Sequence, residues 1–356
     1  MCSHCNHFND AIREYSYPSN LLCDKAAIVT GGRIKIGLQT ALVLLRLGAK
    51  VIVTTRFASD ALLKFKKCKD FSEWYDRLLI YPLNLKDGKS VIDFTQYIKK
   101  NFKQIHILIN NAAQTVKRPL EYYKSLLKSE QKYLTKSEES AMPIIHENDS
   151  NLIEKSIEIT KSTETRLDDA SLTYDYFPKG EKDIWGEQVD YRPTNSWNEK
   201  LSDVSVTEIV ESQMINTVSP TILASELFEI MKPSYDDSQD LEENDIHHSV
   251  RFGHSFIINV TSHEGQFETS GKSDSHIQTN TSKASLNMLT RSCSEYYARN
   301  GILVNSVDTG WVSSALPAYR APPLTDLDAA FRVLHPILSG SFKYGKLYKN
   351  YKEVDW

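Results

Sequence analysis

The chain has 356 residues, of which 40% are hydrophobic and 25% charged, a composition typical of a globular protein with a substantial core. Its formal net charge of −4, from 42 basic and 46 acidic residues, argues against electrostatic binding to nucleic acid or to a membrane. A small-molecule substrate is therefore the expected partner.

The first 24 residues are expected to form a flexible tail. They contain no basic stretch followed by an apolar core, and no apolar run in the chain approaches the roughly 18 residues of a membrane span, so a cytoplasmic protein is predicted. The five cysteines are an odd number scattered along the chain, unlike a secreted disulfide framework. Cys2, His4, Cys5 and His7 are zinc-ligand types, but no second ligand pair follows and no metal site is predicted.

From residue 25 short apolar runs alternate with helical patterns, which predicts a Rossmann-type doubly wound parallel sheet in a three-layer α/β/α domain spanning 25–350. The predicted strands are 25–30, 50–55, 78–83, 105–109, 254–260 and 302–306, with a short last strand within 343–347. The predicted helices are 36–47, 88–101, 204–231, 280–299 and 325–336. Ligands of such a fold bind at the carboxyl ends of the strands.

A polar stretch from about 115 to 200 interrupts this alternation. It is interpreted as an insertion that forms a lid, a partner-binding surface or a disordered excursion. Its aromatic residues lie mostly in the second half, where they either cover the cleft or anchor the loop to the core: Tyr174, Tyr176, Phe177, Trp185, Tyr191 and Trp197. A second polar segment, 235–251, is expected to be a solvated loop.

The strongest local motif is Thr30-Gly-Gly-Arg-Ile-Lys-Ile-Gly37, directly between the first strand and its helix. Glycines at this position permit a tight turn and let backbone amides approach a pyrophosphate at the helix N-terminus. The motif in this context predicts a dinucleotide site.

This turn and five later blocks, in the same order, resemble the short-chain dehydrogenase/reductase family, whose turn reads TGxxxGxG. Asn110-Asn-Ala-Ala113 is similar to the family's NNAG block, and Asn216 to the asparagine of the following long helix. Ser262 matches the family's serine, Lys283 the lysine of YxxxK, and 305–312 the loop written NxxxPG. The resemblance covers about 25–115 and 200–350.

The resemblance implies a catalytic set and a cofactor set. The catalytic set is Ser262, Lys283, Asn216 and Thr279, the last standing where the family has its tyrosine. The cofactor set is Thr30, Gly31, Arg33, Lys35, Ile36, Gly37, Thr55, Arg56, Asn84, Leu85, Asn111, Ala112, Ala113, Lys283, Thr309, Gly310, Trp311 and Val312.

Two departures from the family pattern bear on chemistry. Lys35 replaces the middle glycine of the turn, as an arginine does in pteridine reductases, and it either pairs with an anion of the cofactor or substrate or lies exposed. Thr279 replaces the tyrosine, whose phenol is the family's general acid and base, and a threonine hydroxyl is shorter and a far weaker acid.

Three interpretations remain open for Thr279. In the first, Ser262 polarises a carbonyl while a water or a histidine of 273–276 supplies the proton. In the second, the protein is a non-catalytic dinucleotide-binding regulator or scaffold. In the third, the substrate is an activated iminium or conjugated double bond that needs no strong acid. An oxidoreductase acting at a carbonyl, alcohol or activated double bond with atypical proton delivery is the leading prediction.

The end of the second strand bears on the choice of dinucleotide. Thr55 stands where NAD-preferring members carry an aspartate, and Arg56 follows it. With Arg33 nearby, these residues favour a 2′-phosphate, so NADP(H) is predicted over NAD(H). Asn84 is expected to contact adenine. The resemblance also implies a homodimer or homotetramer formed through the helices at 204–231 and 280–299.

Overall fold

The fold is built on one eight-stranded sheet, and a computed structural model describes residues 9–12, 17–135, 149–164, 175–233, 253–268, 272–312 and 322–356. The strands are β1 (Ala26–Thr30), β2 (Lys50–Thr55), β3 (Leu78–Pro82), β4 (Ile107–Asn110), β5 (Ser255–Thr261), β6 (Ile302–Asp308), β7 (Leu347–Lys349) and β8 (Lys352–Val354). Their order is β3-β2-β1-β4-β5-β6-β7-β8, and only the β7–β8 pair is antiparallel. The predicted doubly wound fold class is confirmed.

The central strands are buried along their whole length, as their near-continuous apolar sequences require. Every residue of β1, β4, β5 and β6 is buried, which is characteristic of a parallel sheet covered on both faces. The register places Ala27 beside Ile107, and Ile107 beside Phe256. The carboxyl ends of these strands therefore share one edge, and the strand order reverses between β1 and β4, where a ligand crevice opens in such folds.

Helices cover both faces of the sheet. They are α1 (Lys35–Arg46), α2 (Ala58–Lys66), α3 (Gly88–Asn101), α4 (Leu120–Thr135), α5 (Asp149–Thr163), α6 (Val206–Gln213), α7 (Ser219–Met231), α8 (Ile277–Ala298) and α9 (Asp326–Leu338). One apolar core contains Leu44 of α1 and Leu334 of α9, and the other contains Phe94 of α3 and Leu227 of α7. These two cores make the α/β/α layers.

Most predicted elements lie within a few residues of the observed ones, and the differences have physical causes. The helix predicted at 204–231 is divided by a π-helical turn, Met214–Val218, between α6 and α7. The last parallel strand is Leu347–Lys349, slightly later than predicted, and β8 follows it. Helix α2 was not predicted, because its N-terminal amides are capped by the distant Glu130 rather than by a neighbouring residue.

The described part of the insertion contains helices α4 and α5, which were also not predicted. Helix α4 packs against α2 and α5, with Tyr123 and Leu127 in the core, and α5 contributes Ile153 and Ile157. The following segment, 175–204, crosses the carboxyl edge of the sheet. The described part of the insertion is therefore packed on the domain.

Some predictions fall outside the described residues, namely those on Cys2, His4, Cys5, His7, Tyr174 and 235–251. Within the described ranges, no helix has both the length and the apolar character needed to cross a membrane. The same ranges hold no group of three metal-ligating acidic, histidine or cysteine side chains.

Candidate active site

A cavity of about 880 Å³ opens at the carboxyl edge of the sheet, beside the point where the strand order reverses. Its volume lies within the roughly 300–1,000 Å³ of small-molecule and cofactor pockets. It is lined by the glycine-rich turn, the ends of β2, β4, β5 and β6, and parts of the insertion. Of the predicted site residues, all but Thr30 and Asn216 line this cavity.

The glycine-rich turn is held tightly against the end of β4. Gly31 has φ +66°, and a Cβ there would lie 2.9 Å from Ala112 Cα. A Cβ on Gly37 would lie 2.3 Å from the Gly31 carbonyl oxygen, so both positions require glycine. Thr30 Oγ1 accepts hydrogen bonds from the backbone amides of Asn111 and Ala112, both at 3.0 Å. Thr30 thus positions the turn from behind the cavity wall.

Lys35 is half-buried and points toward the insertion. Its backbone has φ 54°, and its Nζ lies 4.1 Å from the centroid of the Trp185 ring. Burial lowers the pKa of Lys35, with Asp183 opposing the shift. The structure therefore does not show the exposed lysine that was one of the two alternatives for Lys35. Its ammonium group lies over the face of the Trp185 ring instead.

The end of the cavity at the glycine-rich turn and the end of β2, here called the adenosine end, offers groups that fit a dinucleotide. The side-chain nitrogen of Asn84 is buried at the cavity wall and has no hydrogen-bond partner among the described residues. A buried donor left unpaired costs about 1–3 kcal/mol, so an acceptor on a bound base would relieve that cost. Helix α1 has no acidic residue in its first turn and no side-chain cap from the described residues, which leaves its N-terminal amides for a pyrophosphate.

Both arginines assigned to the 2′-phosphate are engaged by carboxylates. Arg33 Nη1 lies 2.8 Å from Glu187 Oε1 and 2.6 Å from Asp60 Oδ2. Arg56 Nη1 lies 2.7 Å from Glu164 Oε1, and its Nη2 donates to the Tyr123 hydroxyl at 3.1 Å. Burial alone would lower the pKa of Arg33, but Glu187 and Asp60 raise it overall. Glu164 and Glu187 belong to the insertion, and no sequence motif marked them.

At the opposite end of the cavity, Lys283 is fully buried on α8. Its Nζ donates a hydrogen bond to the Val260 carbonyl at 2.8 Å. Burial lowers the pKa of Lys283 to about 8, with Glu264 acting in the opposite direction. Thr279, one turn earlier, is 1% exposed, and its hydroxyl has no partner within the described part of the chain. Both residues line the cavity together with Ser262.

Glu264 is a candidate catalytic group that the sequence analysis missed. It lies in a short 3₁₀ turn two residues after Ser262, lines the same cavity, and has its pKa lowered by the nearby Ser262 side chain. His263 Nδ1 lies 3.0 Å from Glu264 Oε1. Burial raises the pKa of Glu264, but the Ser262 side chain and the nearby histidines lower it overall. The only local signal was an acid two residues after the family serine.

The histidine predicted in 273–276 is held by the insertion and does not line the cavity. The His276 ring stacks on Trp197 with centroids 4.3 Å apart, and its Nδ1 lies 3.0 Å from the Trp197 carbonyl oxygen. His276 does not line the cavity, whereas Trp197 does. His276 therefore anchors the insertion to the start of α8.

Asn216 lies behind the cavity wall in the π-helical turn. Its Oδ1 accepts a hydrogen bond from the Gln114 amide at 2.8 Å, and its Nδ2 donates to the Gln114 carbonyl at 3.1 Å and to Ser282 Oγ at 2.9 Å. This arrangement joins α8 to the loop after β4. Asn216 is accordingly a positioning residue in this structure.

The loop after β6 closes the cavity at the same end. Gly310 has φ +77°, and its amide donates to Asp308 Oδ1 at 2.9 Å. Arg332 of α9 donates to the Thr309 carbonyl at 3.0 Å. Thr309, Gly310, Trp311 and Val312 thereby face the space beside Lys283.

Comparisons with known proteins agree with this architecture. The family model described as short chain dehydrogenase matches residues 25–129. An uncharacterized protein of Acanthamoeba polyphaga mimivirus is 29% identical over 369 residues, covering 98% of this chain and 70% of the relative. The (+)-neomenthol dehydrogenase of Capsicum annuum is 31% identical over 115 residues, covering 29% of this chain and 37% of its own length.

Solved structures extend the similarity over the described fold. The carbonyl reductase Sniffer of D. melanogaster superposes with a TM-score of 0.59 at 17% identity, covering 94% of this chain and 100% of that chain. The NADPH-bound carbonyl reductase from chicken fatty liver superposes with a TM-score of 0.55 at 18% identity, covering 94% and 99%. At these identities the likeness establishes the fold.

Proposed function

We propose that this chain, whose residues 25–129 match the short chain dehydrogenase model, is an oxidoreductase that uses a nicotinamide dinucleotide on a carbonyl, an alcohol or an activated double bond. The observation that carries this proposal is one cavity lined at one end by the glycine-rich turn and at the other by Ser262, Glu264 and Lys283. A protein that only bound the dinucleotide would have no need of Ser262 and Glu264 beside Lys283.

The bound dinucleotide would supply hydride chemistry, and this chain's residues would hold it at both ends. The N-terminal amides of α1 are available for the pyrophosphate, and the unpaired amide of Asn84 for the adenine. Lys283 would hold the ribose beside the reacting ring, and residues 309–312, which line the same cavity, would contact that ring. Trp197 of the insertion covers the cavity and helps to exclude water.

Proton delivery is assigned to the pair Ser262 and Glu264, in place of the missing tyrosine. During reduction, Ser262 gives its hydroxyl proton to the substrate oxygen and receives the proton of the Glu264 carboxylic acid. Glu264 is then reprotonated through His263, which is half exposed to solvent. In oxidation each proton moves in the reverse direction, and Glu264 begins as the carboxylate.

The lowered pKa of Glu264 sets the direction in which this pair works best. At neutral pH the group is a carboxylate, ready to accept a proton through Ser262 and hence suited to alcohol oxidation. The acid form needed for reduction appears only as the pH falls through that lowered pKa. We therefore expect oxidation to persist across neutral pH and to decline on the acid side, while the reduction rate rises there.

A Glu264→Gln variant tests this assignment. Removal of the exchangeable carboxyl proton should lower kcat by a factor of about 10²–10⁴ in a panel of alcohols and carbonyls followed by nicotinamide absorbance. Dinucleotide binding should remain, and the acid limb of the pH profile should disappear. Glu268→Gln, an exposed residue four positions later, is the control and should leave the rates unchanged. Full activity in Glu264→Gln would contradict proton transfer through Ser262 and Glu264. Dinucleotide binding without turnover in the wild type would favour the alternative of a non-catalytic dinucleotide-binding regulator.

The finer choice between the two dinucleotides depends on the counter-ions of the arginines. The NADP(H) preference predicted from the sequence requires Arg33 and Arg56 to face the 2′-phosphate. Both arginines form ion pairs with carboxylates of the insertion, so these carboxylates would determine which dinucleotide binds more tightly.

Self-association is proposed through the helices at 204–231 and 280–299, as a homodimer or homotetramer. Exposed apolar side chains on both elements support it. They are Val206, Val210 and Val218 on the first and Met288 and Tyr296 on the second.

A further inference from the structure

The adenosine end of the cavity carries an acidic side chain that comes from the insertion. Glu187 lines the cavity, and its side chain is only 4% exposed. Both of its carboxylate oxygens accept hydrogen bonds from Arg33, Oε1 from Nη1 at 2.8 Å and Oε2 from Nη2 at 2.5 Å. Lys64 Nζ adds a third contact, 3.1 Å from Oε1. A planar fork facing a carboxylate in this way is a strong and directional pair.

The neighbouring cations are also paired with carboxylates, some of which they share. Arg33 and Lys64 share Asp60, and Arg56 pairs with Glu164, whose side chain is 1% exposed. Lys86 contacts Glu164 at 2.8 Å and Glu211 at 3.0 Å. Arg33 in the glycine-rich turn and Arg56 after β2 are thus already paired with carboxylates of this chain.

Binding a 2′-phosphate among these paired side chains would cost electrostatic free energy. It carries roughly −1.5 to −2 charges near neutral pH, and Glu187, which is paired with Arg33 of the glycine-rich turn, lines the same cavity. Displacing Glu187 would leave a buried carboxylate without its partner, which is strongly unfavourable. A ribose diol is uncharged and can donate a hydrogen bond to a carboxylate.

Glu187 retains capacity to accept such a bond. Its Oε1 accepts from Arg33 and Lys64, but among the described residues Oε2 accepts from Arg33 alone, and each carboxylate oxygen can accept two hydrogen bonds. Thr55, which stands where an acid would hold the diol, instead accepts the Phe57 amide at 3.1 Å through its hydroxyl. The acid missing at the end of β2 has a spatial substitute from a position 132 residues later in the chain (187 minus 55).

We propose that Glu187 makes this site select NAD(H) over NADP(H), a role that rests on the proposed dinucleotide function. Glu187 binds the ribose diol and repels a 2′-phosphate, while Arg33 fixes the orientation of its carboxylate. The insertion therefore contributes cofactor specificity in addition to covering the cavity.

Fluorescence titrations of the full-length protein with NADH and NADPH test this role without any turnover. The wild type should bind NADH at least about tenfold more tightly than NADPH. Glu187→Gln keeps the size of the side chain but removes its charge, and should move the ratio of the two affinities by about tenfold toward NADPH. Glu181→Gln, on the same segment and bonded to the Tyr191 hydroxyl, is the matched control and should keep the wild-type ratio.

The outcomes separate the inference from the function on which it rests. Tighter binding of NADPH by the wild type overturns the inference and leaves the dinucleotide function in place. An NADH preference unchanged in Glu187→Gln, with folding verified by circular dichroism, overturns the assignment to Glu187. Binding of neither dinucleotide by the wild type removes the proposed function and the inference together.

Discussion

Lys35 shows how a single residue can depart from a motif at a tolerable cost. Its φ of 54° lies in the left-handed region where glycine is favoured, and its ammonium group gains a cation–π contact with Trp185 at 4.1 Å. A Lys35→Ala variant keeps the strained backbone and loses that contact, whereas Lys35→Gly loses the contact and relieves the strain.

We expect Lys35→Ala to be less stable than Lys35→Gly by about 1 kcal/mol, in contrast to ordinary helical positions, where alanine is the more stabilising residue. Urea denaturation of the two variants and the wild type measures the difference. Equal stabilities, or a more stable alanine variant, would mean that the turn relaxes to another conformation.

The residues of the site differ in how far the sequence could identify them. Ser262 and Lys283 belong to blocks with fixed spacing, so their common location followed from the order of the strands. Glu264 was missed because its importance arises from its place beside Ser262 in the cavity, which no spacing rule encodes. Glu187 and Glu164 were missed because their partners are 154 and 108 residues away.

At the scale of elements, burial explains which segments were predictable. The strands β1, β4, β5 and β6 are apolar throughout and wholly buried, so local composition sufficed. Helices α2, α4 and α5 are polar on one side and depend on tertiary contacts. The spacing of Leu120, Tyr123 and Leu127 in α4 was an available helical signal, hidden by the charged residues around it.

The cap that Glu130 provides to α2 is one such tertiary contact. Its carboxylate accepts the Ser59 amide at 3.1 Å and the Ser59 hydroxyl at 2.7 Å, and it also accepts the Asp60 amide. Glu130→Gln should lower the free energy of unfolding by about 1–2 kcal/mol, because one oxygen cannot replace two. Chemical denaturation measures the loss, with the exposed Glu154→Gln on α5 as control. An unaffected Glu130→Gln would show that α2 needs no cap from the insertion.

At the scale of the whole molecule, the proposed self-association predicts a surface on α6 and α8. Val210 of α6 is 61% exposed, and Met288 of α8 is 53% exposed. Val210→Glu would place a charge in the interface, whereas Ile92→Glu on α3 alters an exposed residue of another helix. Sedimentation should show a dimer or tetramer for the wild type and for Ile92→Glu, and a monomer for Val210→Glu. A wild type that stays monomeric at all concentrations tested would refute this surface.

The proposed function requires that one cavity hold both the dinucleotide and the proton-transferring pair Ser262 and Glu264. Calorimetric titration of the purified chain with NADH and with NADPH, repeated with Lys283→Ala, tests that claim most directly. The account predicts saturable binding of one dinucleotide per chain, weakened in the variant because Lys283 faces the same cavity as the glycine-rich turn. If neither NADH nor NADPH gave a heat of binding with a correctly folded protein, the proposed dinucleotide site would be contradicted.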